Sequence, residues 1–262
     1  MENNKTFCMD NLEYMKSLPS GCIDLIYGDI LYGTGKKFQD FQDLKPTKEV
    51  IYDFYIPRIK EMYRLLKDTG SIYLQMDWRI VHWIRCITDD VFGYKNFRSE
   101  IIWKYDAPTS TNRNYPSKHD NILFYTKGND YYFNQEAILI DYSDKGNKRY
   151  DKVDEEGKRY KLYKNKDGSY RKAYMKTGKP TDVFEIQFLQ NNSTEKVGYD
   201  TQKPLELMEK FIKTSSKEND LVADFFMGSG SFLVKAKELN REYIGCDINP
   251  KALELTNLRL TS

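Results

Sequence analysis

Two stretches of this chain carry residue types in patterns that could do chemistry. Leu221-Val222-Ala223-Asp224-Phe225-Phe226-Met227-Gly228-Ser229-Gly230-Ser231-Phe232 runs from an apolar strand into a glycine turn and on into a helical pattern. Glycine lets backbone amides approach a ligand closely. A second apolar run, Tyr243-Ile244-Gly245-Cys246-Asp247, ends in an acid about 20 residues after Gly228. A carboxylate there can accept hydrogen bonds from both hydroxyls of a ribose, so the pair of motifs suits an adenosine-containing cofactor. Leu233 stands where a pyrophosphate fingerprint has its third glycine, which favours a nucleoside over a dinucleotide. No Gly-Lys-Ser/Thr ending follows, which argues against a nucleoside triphosphatase. The other stretch is Ile26-Tyr27-Gly28-Asp29-Ile30-Leu31-Tyr32-Gly33, where a carboxylate and a phenol follow an apolar run. On its own, Asp-x-x-Tyr equally describes a strand cap and a core tyrosine.

These motifs need rigid elements beneath them. Ile23–Tyr27 reads as a buried strand. Lys48–Lys67 reads as a helix with Ile51, Tyr55, Ile59, Met62 and Leu66 on one face, stopped by Gly70. Ser71–Met76 is the next predicted strand, a helix follows Asp77, and Glu100–Lys104 and Asn121–Tyr125 are further strands. Near the C-terminus, Leu205–Ser216 and Phe232–Leu239 read as helices alternating with strands Leu221–Asp224 and Tyr243–Asp247. This alternation predicts an α/β fold with a largely parallel sheet.

Between about Gln135 and Glu195 the pattern changes. Charges dominate, turn signals recur, and tyrosines 142, 150, 160, 163, 170 and 174 punctuate the run. Residues 141–180 hold 13 Lys and Arg against 7 Asp and Glu, a net of +6 within a chain whose total is +2. Such a segment suits a polyanionic partner, or simply a solvated lysine-rich surface. It reads as an insertion with short hairpins. A 40% hydrophobic and 31% charged composition over 262 residues fits a globular chain with a sizeable core. The N-terminus lacks a signal-peptide pattern, and no apolar run approaches the roughly 20 residues needed to span a bilayer. The four cysteines are far apart and only two histidines exist, so no metal site or disulfide framework is expected, and the cytoplasm is the expected compartment.

Asp224-Phe225-Phe226-Met227-Gly228-Ser229-Gly230-Ser231 resembles the S-adenosyl-L-methionine (AdoMet) motif of DNA amino-methyltransferases, commonly Asp-Pro-Phe-x-Gly-Ser-Gly-Thr. Thr201-Gln202-Lys203-Pro204 resembles the family's Thr-Gln-Lys-Pro element, which borders the same pocket. Asp10-Asn11 resembles the element that meets the AdoMet adenine. The cofactor motif is C-terminal to the catalytic region, and this permuted order resembles the β group of these enzymes. The resemblance covers nearly the whole chain outside the charged insertion. It implies a Rossmann-like AdoMet-dependent methyltransferase sheet flanked by helices, with an inserted target-recognition module. Residues 1–134 would hold the catalytic part, 135–195 the target-recognition region and 196–262 the AdoMet-binding part. The implied cofactor-binding residues are Asp10, Asn11, Asp29, Thr201, Gln202, Lys203, Pro204, Asp224, Phe226, Gly228, Ser229, Gly230 and Asp247.

The β-group catalytic loop usually reads Asp-Pro-Pro-Tyr. Here Asp29-Ile30-Leu31-Tyr32 stands in its place, with both prolines replaced. An exocyclic base nitrogen is a poor nucleophile because its lone pair is conjugated into the ring. The Asp29 carboxylate and the backbone carbonyl of Ile30 would each accept one of its N–H hydrogens, freeing that lone pair for the methyl group. Tyr32 would stack on the base, which must leave the duplex to be reached. Proline fixes φ, so the substitutions bear on loop rigidity without removing an atom that the chemistry uses. They leave open whether the loop is fully active.

The resemblance places target reading in the basic insertion, where Lys158, Arg159 and Lys161 are candidate DNA-binding residues. His119, in the strand before it, reads as packing or part of a base pocket. The expected activity is methylation of adenine N6 in double-stranded DNA. Cytosine N4, which needs the same acceptors, and a non-catalytic DNA-binding partner subunit are the alternatives. A companion restriction nuclease, a homodimer and the recognition sequence stay open.

Overall fold

The computed structural model describes residues 2–37, 42–107, 111–140, 149–175, 178–190, 192–199 and 201–261. The chain divides into two compact units, one built from residues 1–133 and 182–262, the other from residues 134–181.

The larger unit is built on an eight-stranded sheet. Its strands are β1 (Lys5–Cys8), β2 (Ile23–Asp29), β3 (Leu66–Met76), β4 (Phe97–Lys104), β5 (His119–Thr126), β11 (Val183–Glu185), β12 (Leu221–Asp224) and β13 (Glu242–Asp247). Their order across the sheet is β1-β13-β12-β2-β3-β5-β4-β11. Every recorded pairing is parallel except those of β5, which runs against both β3 and β4. The central strands β2, β12 and β5 are buried along nearly their whole length, as expected of a sheet covered on both faces.

Among the described residues, six helices flank the sheet: α1 (Asn11–Ser17), α2 (Lys48–Leu65), α3 (Val81–Phe92), α4 (Leu205–Ser215), α5 (Ser231–Glu238) and α6 (Pro250–Thr261). In α2 the residues Ile51, Tyr55, Ile59 and Met62 are buried, as their spacing predicts. The end of α2 differs from the expectation. The helix stops at Leu65, and Leu66 already pairs with Ile23. The register then shifts, so that Ser71 pairs with Leu25 and residues Lys67–Gly70 bulge from the strand. Gly70 therefore serves a strand irregularity rather than a helix stop. An added Cβ there would meet the Lys67 carbonyl oxygen at 2.9 Å.

The described residues of the smaller unit form one 3-10 turn (Gln135–Ile138) and short β-strands. Strands β6 (Leu139–Ile140) and β10 (Lys179–Pro180) pair antiparallel, and β7 (Lys152–Val153), β8 (Arg159–Lys164) and β9 (Tyr170–Tyr174) form an antiparallel meander. Its two turns place Gly157 and Gly168 at φ of +81° and +88°. The insertion was expected to run to residue 195, but the smaller unit ends at Thr181. Val183–Glu185 instead pairs with β4 of the large sheet. Phe184 and Ile186 are buried there, and the Trp103 indole donates to the Ile186 carbonyl at 2.7 Å. Residues 141–148, part of the basic stretch, lie outside the described residues.

Candidate active site

The three parallel strands β2, β12 and β13 end in Asp29, Asp224 and Asp247. Ligands of open α/β sheets bind outside such carboxyl ends. A cavity of about 660 Å³ opens there, a size that suits a drug-sized molecule. Asp10, Asn11, Asp29, Ile30, Tyr32, Thr201, Lys203, Asp224, Phe226, Gly228, Ser229 and Asp247 all line it. Gln202, Pro204 and Gly230 are not on its wall. Gln202 instead braces the preceding loop, accepting from Val197 N at 2.9 Å and donating to Glu195 O at 2.7 Å. Pro204 caps α4 with its carbonyl, which accepts from Leu207 N at 3.1 Å. Gly230, at φ +74°, starts α5 where a Cβ would lie 2.4 Å from the Thr256 side chain.

The carboxylates at the ends of β12 and β13 are held by backbone amides. Asp247 accepts from Gly228 N and Asn249 N, each at 2.9 Å and each on a different oxygen. Asp224 accepts from Phe226 N at 2.9 Å. Each carboxylate keeps acceptor capacity for a ligand. Burial raises both acids above the ordinary carboxylate range, Asp224 strongly, and Asp29 and Asp247 push Asp224 further in the same direction. Asp10 caps α1 by accepting from Leu12 N and Glu13 N, and its other oxygen is bound by Arg58 at 2.9 Å. Asn11 ties Arg58 to the glycine-turn strand: it accepts from the Arg58 Nε at 2.7 Å and donates to Phe225 O at 3.0 Å.

In the same cavity, Asp29 accepts from the Lys203 ammonium at 2.5 Å, and the Tyr32 hydroxyl lies 3.0 Å from its other oxygen. Burial raises the Asp29 carboxyl and Lys203 opposes that rise. The Lys203 ammonium is also 5.4 Å from the centre of the Tyr32 ring. Ile30 donates to Gln75 O at 3.1 Å, and its carbonyl accepts no hydrogen bond from the described residues.

The loop has no prolines, yet it is firmly tied. The buried Asp43 carboxylate accepts from the backbone amides of Gly33, Thr34 and Leu44 at 2.7–3.1 Å, and from the Thr34 hydroxyl at 2.5 Å. The Tyr55 hydroxyl donates to Leu31 O at 2.8 Å. Side-chain hydrogen bonds thus supply the rigidity that proline would supply through φ.

Asp43, Gln75, Asp120 and Arg58 were not foreseen as site residues. The weak signal for each was a polar residue that the fold buries. Lys158, Arg159 and Lys161 belong to the smaller unit.

With this geometry in place, comparison with known proteins decides the family. Residues 23–258 match the DNA methylase family of N6/N4 type. The chain belongs to that family. It is a DNA methyltransferase of the N6/N4 class. It is 30% identical over 261 residues to the Type II methyltransferase M.HpaI of Haemophilus parainfluenzae, covering 99% of this chain and 75% of that one. It is 28% identical over 254 residues to the DNA adenine methyltransferase YhdJ of Escherichia coli K12, covering 96% and 80%. In fold the methylase matches the cytosine-N4-specific PvuII DNA methyltransferase, with a TM-score of 0.67 at 15% identity over 99% of this chain and 86% of that one. Among the described residues, no helix of the methylase is long and apolar enough to cross a membrane, and no cluster of side chains suits a metal ion.

Proposed function

We propose that this methylase transfers a methyl group from S-adenosylmethionine to N6 of an adenine swung out of double-stranded DNA. The observation that carries the reading is that Asp29 and the Gly228–Asp247 pair face one cavity. The cavity fits the cofactor. Its volume is adequate, Asp247 keeps lone pairs for ribose hydroxyls, and Asp29, Asp224 and Asp247 crowd negative charge that a sulfonium cation relieves. When bound, S-adenosylmethionine supplies an electrophilic methyl group.

The chain's own residues prepare the amine. Asp29 accepts one N–H and the Ile30 carbonyl the other, which draws the nitrogen toward tetrahedral geometry. Lys203 opposes the rise that burial gives the Asp29 carboxyl and so favours its ionised form. The Tyr32 ring supports the extruded base. The rate gain comes from positioning and preorganised acceptors.

Adenine is favoured by the resemblance of Asp29-Ile30-Leu31-Tyr32 to the adenine-type loop and by likeness to YhdJ across nearly the whole chain. PvuII methyltransferase, at 15% identity, speaks for the fold and not for the base. Likeness to Type II enzymes supports a companion restriction nuclease.

The smaller unit reads the DNA. Alternation along β8 places Arg159, Lys161 and Tyr163 on one face, and the register sets Arg171 opposite Tyr163. Lys161 and Arg171 lie 4.4 and 5.3 Å from the Tyr163 ring centre. This cationic face, carrying an exposed aromatic, suits a phosphate backbone. Lys158 precedes the strand and is bonded to Glu156 at 2.7 Å, and Arg171 joins Lys158, Arg159 and Lys161 in the proposed contact set.

The test is transfer of labelled methyl from S-adenosylmethionine to unmethylated DNA, followed by nucleoside analysis. N6-methyladenine supports the reading. N4-methylcytosine moves it to the other base, and no product overturns catalysis.

A further inference from the structure

Asp120 lies on β5, the strand that runs against both its neighbours, and it is buried. Its Oδ2 accepts from the Tyr32 hydroxyl at 2.6 Å and from Gln75 Nε2 at 2.9 Å, and its Oδ1 accepts from the Tyr105 hydroxyl at 3.0 Å. The Gln75 amide is oriented by Tyr27, whose hydroxyl donates to Gln75 Oε1 at 2.7 Å. Its Nε2 therefore faces Asp120 and the Tyr32 oxygen, the latter at 3.3 Å.

The Tyr32 oxygen sits between two carboxylates, 2.6 Å from Asp120 and 3.0 Å from Asp29. A phenol carries one proton, and each ionised carboxylate can only accept. The hydroxyl can serve one acid at a time. Burial and both acids push the Tyr32 phenol well above its ordinary range, so it keeps that proton. The shorter contact, supported by the Gln75 donor, belongs to Asp120.

We propose that Asp120 is a positioning residue that accepts the one hydrogen bond the Tyr32 hydroxyl can donate, leaving the facing oxygen of Asp29 open to the target amine and fixing the ring on which the base rests. This rests on the reading of Asp29 as the amine acceptor. Without Asp120 the hydroxyl would turn to Asp29 and occupy the acceptor that the reaction needs.

A double-mutant cycle tests this, because it isolates the coupling between two residues. Single-turnover methyl transfer is measured with saturating S-adenosylmethionine for the parent, Asp120→Asn, Tyr32→Phe and the double variant. Asparagine keeps the volume but can point its NH2 at the tyrosine oxygen. Asp120→Asn should slow transfer at least about 10-fold. In the Tyr32→Phe background, which keeps the ring and has no hydroxyl to misdirect, the same change should alter the rate less than about twofold. Cofactor affinity should stay within about twofold in all four proteins.

Equal losses in both backgrounds would mean that Asp120 acts on the fold and not through the tyrosine proton, and would overturn the proposal. So would an unchanged rate in Asp120→Asn. Asp120→Glu runs through the same cycle as a second arm and decides the matter if the asparagine variant does not fold: its loss should also vanish beside Tyr32→Phe. An Asp29→Asn variant measured alongside separates the two readings. Full activity there would sink the role of Asp29 itself. An inactive Asp29→Asn with an additive cycle would remove only Asp120.

Discussion

The Lys203 ammonium bonds the Asp29 carboxylate at 2.5 Å across 174 residues of sequence. Each member is largely shielded from water, with side-chain exposures of 11% and 18%. The pair joins the two motifs that the permuted chain order keeps apart. It brings the element before α4 to the end of β2 and places one cation beside the acid assigned to the amine.

That contact predicts a pH effect. Burial raises the Asp29 carboxyl and Lys203 lowers it. Removing the cation in Lys203→Met leaves burial and the neighbouring Asp120 opposed only by the Tyr32 hydrogen bond, so the carboxyl rises further. Less Asp29 is then ionised at a given acidic pH, and the acid limb of kcat should move to higher pH. The check is a pH profile at saturating cofactor. An unmoved limb would mean that the ammonium does not govern the ionisation of Asp29.

Asp247→Asn should weaken S-adenosylmethionine binding and leave the methyl-transfer step of the saturated enzyme nearly intact. A charge-assisted hydrogen bond is worth about 1.5–3 kcal/mol, or roughly 10- to 150-fold in affinity. Because Asp247 also holds Gly228 and Asn249, calorimetry must be paired with a melting curve. Unchanged affinity in a folded protein would remove Asp247 from the cofactor site.

Much of this was legible in the sequence for a local reason. The turn between β12 and α5 announces itself through its flanking apolar periods, and Asp247 lies one βα unit further on. The loop at Asp29 follows an apolar strand in the same way. Asp120 was hidden because its strand reads as a plain apolar run. Only the antiparallel placement of β5 beside β3 sets it against Gln75 and Tyr32, and that is a long-range fact. Asp43 was hidden likewise, because its hydrogen bonds reach back 9 or 10 residues into a loop with no regular period. The end of α2 was misplaced because Leu66 continues the helical spacing while its backbone already pairs with β2.

The cationic face of the smaller unit has its own signature. Each neutralised phosphate releases counterions, so DNA affinity falls with salt at a slope set by the contacts made. Replacing Arg159, Lys161 and Arg171 together with alanine should flatten that slope by up to about 3 units. Cofactor affinity should not change, since the cavity is lined wholly by the larger unit. Superimposable salt plots would mean that this face does not meet the duplex.

The central claim is that Asp29 accepts a hydrogen bond from the target amine. The most direct measurement is single-turnover methyl transfer to DNA by Asp29→Asn, with S-adenosylmethionine affinity determined by calorimetry on the same protein. Replacing one preorganised acceptor typically costs on the order of 100-fold or more in rate. The account predicts a loss of about that size with cofactor affinity within about threefold of the parent. Near-parental transfer by the folded variant would contradict it.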